Sequence, residues 1–376
     1  KEVVKFITPQ EYSFKTLQEN FNFGSPIFRH ALRLAMVVLV GFSIGAFFSI
    51  QNAYWILLTI VVIMRPNYGL TKSRTKERII GTLIGGVIAI IIVFITQNTY
   101  IYGALGLLSL TMAFSLIQRN YRTAAVFITL SIIFIYALLK PDVIKVIGFR
   151  IIDTFVGAAL AGFGNLFLWP AWEAENIKNV IATSIAANRE YFLEIDRFYH
   201  KKGELPTSYK LSRKKAFLEM GNLSAAFQRM TQEPKSKQKD LGLIYRLVSL
   251  NQTFLSALAS MGTYIRNHNT TEASKDFEVF VKQILHSLNN AEQGLIAQAE
   301  QKKTNVELLK EAKSRLDEKY EELVKIRNQE IADGKALADH DMRLQLQEAQ
   351  LITNQLQWLL DISKNIRKTV FKTTSI

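Results

Sequence analysis

The chain holds 376 residues with a formal net charge of +14 and no cysteine, which excludes disulfides, thiolate metal ligands and thiol nucleophiles. So basic a chain raises nucleic-acid binding as a class, but the placement of its charge argues against that class. Between Arg29 and Pro170 twelve cations stand against three acids, and they flank long apolar runs, as the loops of a membrane protein do.

Residues 1–28 are polar and aromatic and read as a cytoplasmic lead-in. The chain opens on Lys1 without a signal-peptide pattern, so it is expected to be part of a longer or processed chain. From Leu34 to Met64 there is no charge, and the weakly apolar Ser49-Ile50-Gln51-Asn52 divides this stretch into spans at 31–50 and 53–65. A span needs about 20 apolar residues at about 1.5 Å each, so the second is short, tilted or buried by neighbours. Arg65-Pro66-Asn67-Tyr68-Gly69 closes it, and a basic loop from Thr71 to Arg78 follows. Spans three and four are expected at 79–95 and 100–117, divided at Thr96-Gln97-Asn98-Thr99. A cationic turn at Arg119–Arg122 leads to span five at 123–139, closed by Lys140-Pro141-Asp142, and span six covers 146–169. The domain organisation is therefore a transmembrane domain over 29–172 and a helical domain over 173–376.

The basic loops Lys72–Arg78 and Arg119–Arg122 set the orientation: both ends of the six-span unit are expected in the cytoplasm. Trp55, Tyr100, Tyr102, Trp169 and Trp172 fall near the predicted interfaces and read as an aromatic belt. After Trp172 apolar residues recur at helical spacing, as in Ile177, Ile181, Ile185, Phe192 and Ile195. Breaks at Lys202–Pro206, Glu233-Pro234 and Asn267–Thr271 predict helices at 175–200, 207–232, 240–266 and 272–300, with two or more beyond and an interruption at Asp333-Gly334. The fold class is all-α: a six-helix transmembrane bundle followed by a soluble cytoplasmic helical bundle.

Nothing in the pattern points to catalysis. The five histidines, His30, His200, His268, His286 and His340, show no metal-ligand pairing, and no nucleophile elbow, phosphate loop or dinucleotide fingerprint is present. No catalytic residue, metal or cofactor is expected. Gly81 with Gly85, and Gly157 with Ala161, form small-xxx-small pairs that suit close helix packing in lipid, within one subunit or at a moving interface of a transporter. Arg150 and Asp153 stand three apart near the start of span six, so they share a face and can pair. The pair either fixes helix packing or lines a polar path for a solute. Arg78 lies at the mouth of span three and Arg65 at the end of span two; guanidinium groups there suit bidentate binding of a carboxylate.

Several segments together carry a family resemblance. They are Ser25-Pro26-Ile27-Phe28-Arg29-His30-Ala31-Leu32-Arg33, Tyr54-Trp55-Ile56-Leu57-Leu58-Thr59, and Pro66-Asn67-Tyr68-Gly69-Leu70-Thr71. Arg74, Arg78 with Gly81-Thr82-Leu83-Ile84-Gly85, and Arg150-Ile151-Ile152-Asp153-Thr154-Phe155-Val156-Gly157 complete the set. From Ser25 to Trp172 the chain resembles the fusaric-acid-resistance-like (FUSC) family, and most closely its YccS/YhfK-type integral membrane branch. The resemblance implies a bacterial inner-membrane protein related to aromatic carboxylic acid exporters and, more distantly, to plant anion channels. It also implies a doubled architecture, in which this chain is the second six-span module and needs its partner half or a second copy. The expected function is efflux of organic anions, aromatic carboxylates above all, through a path bordered by Arg65, Arg78, Arg150 and Asp153. A passive anion channel, or a membrane scaffold whose soluble bundle recruits partners, are the alternatives.

Overall fold

Every regular element among the described residues is a helix. The computed structural model describes residues 14–48, 53–139, 143–201, 203–238, 240–268, 275–297, 306–333 and 340–374. Most of the breaks expected at 49–52, 140–142 and 267–271, with Lys202 and Gly334, lie outside these residues. The described residues divide into two compact units, one ending at Trp172 and one beginning at Glu173.

The first unit contains α1 (Phe14–Asn20), α2 (Pro26–Phe47), α3 (Tyr54–Ile63), α4 (Tyr68–Ile95), α5 (Thr99–Leu116), α6 (Tyr121–Leu139) and α7 (Val143–Phe167). Their starts follow local chemistry. The Ser25 hydroxyl accepts from the Phe28 amide and Pro26 occupies the first turn of α2, where its missing N–H costs nothing. Asn98 caps α5 by accepting from the Tyr100 amide at 2.9 Å. Four helices, α2, α4, α5 and α6, are long and apolar enough to cross a membrane. Helix α3 has only 10 residues, about 15 Å, and ends where Met64 turns extended ahead of Pro66. Helix α7 is long enough, but Arg150, Asp153 and Asn165 lower its apolar character, and all three are buried inside the unit.

The segment expected as a basic loop is helical. Helix α4 starts at Tyr68 and continues unbroken to Ile95, 28 residues or about 42 Å. Lys72, Arg74, Lys76 and Glu77 are good helix formers, and no proline interrupts them before the apolar run. A hydrocarbon core is about 30 Å thick, so a helix of this length carries its first turns beyond it.

Glycine lets the helices of this unit approach closely. A Cβ added at Gly85 would lie 2.9 Å from both Thr129 Cβ and the Val126 carbonyl of α6, and one at Gly157 only 2.8 Å from Thr59 Cβ of α3. Gly81 packs against Ala125 of α6 in the same way, and Ala161 is fully buried beside Val37. Two apolar clusters result: α2, α3 and α7 meet around Ile56, Ile60 and Ala161, while α4, α5, α6 and α7 meet around Ala89, Phe134 and Ile147.

Trp55 and Tyr102 do not form part of an outer aromatic belt. Trp55 is buried edge-on to Tyr136, and Tyr102 is buried, stacked on Phe134, with its hydroxyl donating to the Thr96 carbonyl at 2.6 Å. The inward position lets each ring bury its apolar area while a hydrogen bond or an aromatic edge meets its polar part. Tyr100, 90% exposed, keeps the outward position.

The second unit is formed by α8 (Glu173–Lys201), α9 (Thr207–Thr231), α10 (Leu241–Asn267), α11 (Lys275–Ile296), α12 (Val306–Ala332) and α13 (His340–Thr374). One continuous apolar core joins them, with Ile181, Phe192, Phe254, Ile284 and Ile366 inside it. Glu173 and Glu175 occupy the first turn of α8 and His200 and Lys201 its last, each complementing the partial charge of that helix end. A buried polar relay crosses the core: Asn188 Nδ2 donates to Asn251 Oδ1 at 2.8 Å, and Asn251 Nδ2 donates to the Ser184 hydroxyl.

Candidate functional site

Three guanidinium groups are buried in the first unit, and their surroundings differ. Arg33 of α2 is fully buried and completely matched: Nε donates to the Leu168 carbonyl at 2.7 Å, Nη2 to the Trp169 carbonyl at 2.6 Å, and Nη1 to Asn165 Oδ1 and, at 3.5 Å, to the Pro66 carbonyl. Asn165 in turn donates to the Thr71 hydroxyl at 2.6 Å. The C-terminus of α7, where orphan carbonyls collect, is thereby tied to the α3–α4 turn. Trp169 adopts a left-handed backbone (φ 45°) at this point, which turns its carbonyl toward the clamp. This network is structural.

Arg150 of α7 is equally buried, yet none of its three guanidinium nitrogens has a hydrogen-bond partner. Its guanidinium lies over the Trp55 ring, 5.2 Å from the centroid. Stacking uses the flat face of the cation and leaves its N–H edges free. Asp153, one turn further along α7, is 1% exposed, and neither carboxylate oxygen has a partner. The ion pair expected from the three-residue spacing is not formed: no bridge within 4.0 Å joins Arg150 and Asp153, because the guanidinium turns to Trp55 instead. Arg78 of α4 is 2% exposed with its Nε unmatched, and its guanidinium acts on the buried Tyr121 hydroxyl of α6. Arg78, Tyr121 and Asp153 all lie within electrostatic reach of Arg150. Arg74, one turn before Arg78, stacks on the opposite partner of this group, its guanidinium 4.1 Å from the Tyr121 ring centroid.

So the fold gathers Arg78, Arg150 and Asp153 from the sequence-predicted set, and adds Trp55 and Tyr121. Arg65 is not among them. It is exposed in the α3–α4 turn, where its backbone amide donates to the Thr71 hydroxyl at 2.9 Å. Pro66 ends α3 before Arg65 can continue it inward. Trp55, expected in the aromatic belt, and Tyr121 carry no site signal in the sequence, because an aromatic residue near a span end has the same signature whether it faces lipid or a cation.

Leaving charges buried and unmatched costs several kcal/mol per ion even after the surroundings relax. Such groups persist where they serve a ligand, a proton or internal water. Arg78, Tyr121, Arg150 and Asp153, four polar groups from three helices, converge with most of their buried polar atoms unmatched, and this makes them the candidate site of the unit.

A second feature lies further toward the start of α4. A cavity of about 510 Å³ opens between α4 and α7, lined by Thr71, Lys72, Thr75 and Lys76 on one side and Asn165 and Leu166 on the other. In the sequence Lys72 and Lys76 carry only the orientation signal of the basic segment. Because α4 is continuous, they lead along one helix toward Arg78.

Residues 37–163 match the family model described as fusaric acid resistance protein-like. The chain is 32% identical over 250 residues to the inner membrane protein YccS of Escherichia coli, covering 66% of this chain and 34% of that protein. It is 31% identical over 280 residues to an uncharacterized protein of Haemophilus influenzae, covering 73% and 39%. Against aluminum-activated malate transporter 12 of Arabidopsis thaliana it is 24% identical over 176 residues, covering 43% and 31%. The chain thus spans between a third and two fifths of the length of the relatives it matches best among these.

Proposed function

The chain belongs to the fusaric acid resistance protein-like family, in the branch of YccS, and from that premise we propose that it moves organic anions across the bacterial inner membrane, with Arg150 and Arg78 as the anion-binding groups. The observation that carries this reading is a fully buried Arg150 whose guanidinium nitrogens have no partner. A carboxylate oxygen pair meets an N–H edge of this kind bidentately, and the Trp55 ring behind it offers a flat apolar wall beside an aromatic substrate. The malate transporter relative, by its printed name, handles a carboxylate. Export of aromatic carboxylates is the direction and class that the family resemblance favours.

Helices α2–α7 are read as six passes, with α3 reaching across only in company with its neighbours, and both ends of the unit in the cytoplasm. On that orientation the Lys72/Lys76 cavity is a cytoplasmic vestibule, where two ammonium groups raise the local concentration of anions. Because the relatives are longer, a second six-helix module or a second copy of this chain is proposed to complete the path.

The test is flux into proteoliposomes of labelled benzoate and benzenesulfonate, the second having no permeant neutral form, with protein-free vesicles subtracted. Wild-type protein is expected to pass at least one of them, and Arg150→Ala and Arg78→Ala to cut that flux by about 10-fold or more, as loss of a charge-assisted contact of about 1.5–3 kcal/mol dictates. Equal flux in wild type and both variants contradicts the assignment of the arginines.

A further inference from the structure

Asp153 has no role in holding the fold that the structure reveals, and the anion reading leaves it unused. It is buried on α7, both its oxygens lack a partner, and it stands one helical turn from a guanidinium that has stacked elsewhere. The helices packed against α7 offer it little else. Helix α4 supplies Arg78 and α6 supplies Tyr121, both acting on Arg150, while Arg122 of α6 is exposed. In α3 the lone titratable residue is Tyr54, bonded to Tyr136, and Arg33 of α2 is fully committed to the α7 C-terminus. Among these charged neighbours Arg150 is the one that acts on the Asp153 carboxylate.

We propose that Asp153 is a proton-binding site coupled to anion binding at Arg150, so that one proton is taken up from water for each monovalent anion bound. The inference rests on the anion reading above. Its logic is charge conservation in a low-dielectric interior. With Asp153 ionised, the carboxylate neutralises Arg150 and repels an incoming anion. When the carboxylate takes a proton to become a carboxylic acid, Arg150 is left with an uncompensated charge that the anion fills. Arg78, Arg150 and Asp153 then sum to one positive charge in both states: ionised Asp153 without the anion, or protonated Asp153 with it. Keeping the net charge constant avoids the Born cost that an unpaired ion would impose at either stage. The bound pair, one proton plus one anion, is electroneutral, and its export requires an outward anion gradient larger than the inward proton gradient.

The experiment uses the purified full chain in detergent, with benzoate and benzenesulfonate as probes. Equilibrium dialysis reads bound anion, and a pH-indicator dye in weak buffer reads proton uptake. Over the pH range in which Asp153 is ionised the wild type is expected to take up close to one proton per bound anion, and its affinity is expected to fall up to tenfold per pH unit there. Asp153→Asn, a near-isosteric neutral replacement, is expected to bind the anion with no proton uptake and no such pH dependence, and Asp153→Glu to restore both. Anion binding by wild type without proton uptake at any pH overturns the coupling while leaving the anion site intact. Failure of wild type to bind either probe overturns the anion reading, and the coupling with it.

Discussion

Arg33, Arg78 and Arg150 are three buried arginines of one unit, and their atoms assign them opposite duties. Arg33 spends its donors on the carbonyls of Leu168, Trp169 and Pro66 and on Asn165. Removing it strands these acceptors in the interior, so Arg33→Ala is expected to lower stability in detergent by about 2–4 kcal/mol. Arg150 spends none of its donors, so Arg150→Met strands no hydrogen-bond acceptor, and the neighbouring Asp153 can become neutral by taking a proton. Arg150→Met is therefore expected to unfold at an equal or higher temperature than wild type while losing anion flux. Thermal unfolding of the two variants checks both statements; a large drop for Arg150→Met shows that the residue is a structural clamp after all. Nothing local in the sequence separates these arginines. Asn165 lies 132 residues from Arg33, and Trp55 lies far from Arg150 in the chain, so the difference is decided by contacts that no spacing rule reaches.

Elements bounded by strong local signals stand where the pattern puts them. Helix α5 begins at the Asn98 cap and ends before the cationic turn, close to the expected 100–117, and α6 follows the same logic against 123–139. Helix α4 differs because a run of Lys, Arg and Glu reads equally as a loop or as a solvated helix, and hydropathy averaging sees only its charge. The small-xxx-small pairs were legible as packing residues, though not which helix each would meet. Gly85 faces α6 with no room for a side chain, so Gly85→Val is expected to cost about 1–3 kcal/mol or more by forcing α4 and α6 apart. Gly148 of α7 has nothing within 4 Å of its would-be Cβ, so Gly148→Ala serves as the tolerated control. Unfolding midpoints that shift equally for both variants contradict the close α4–α6 contact.

The described residues form two helical units, the first packed around two apolar clusters and the second around one. What the sequence did not disclose is how few charges the first unit keeps inside and how they are left unmatched. The central claim is that Arg78 and Arg150 border a water-filled anion path rather than a dry core. The natural absence of cysteine makes this directly measurable, since single cysteines can be introduced with no background to remove. Thr82 of α4 is buried one turn beyond Arg78, whereas Val87 on the same helix is 57% exposed. In native membranes Thr82→Cys is expected to react with an anionic, membrane-impermeant methanethiosulfonate faster than with a cationic one, to be protected by benzoate or benzenesulfonate, and to contrast with an unreactive Val87→Cys. Labelling of Thr82→Cys that is no faster than that of Val87→Cys, or that shows no preference for the anionic reagent, contradicts the account.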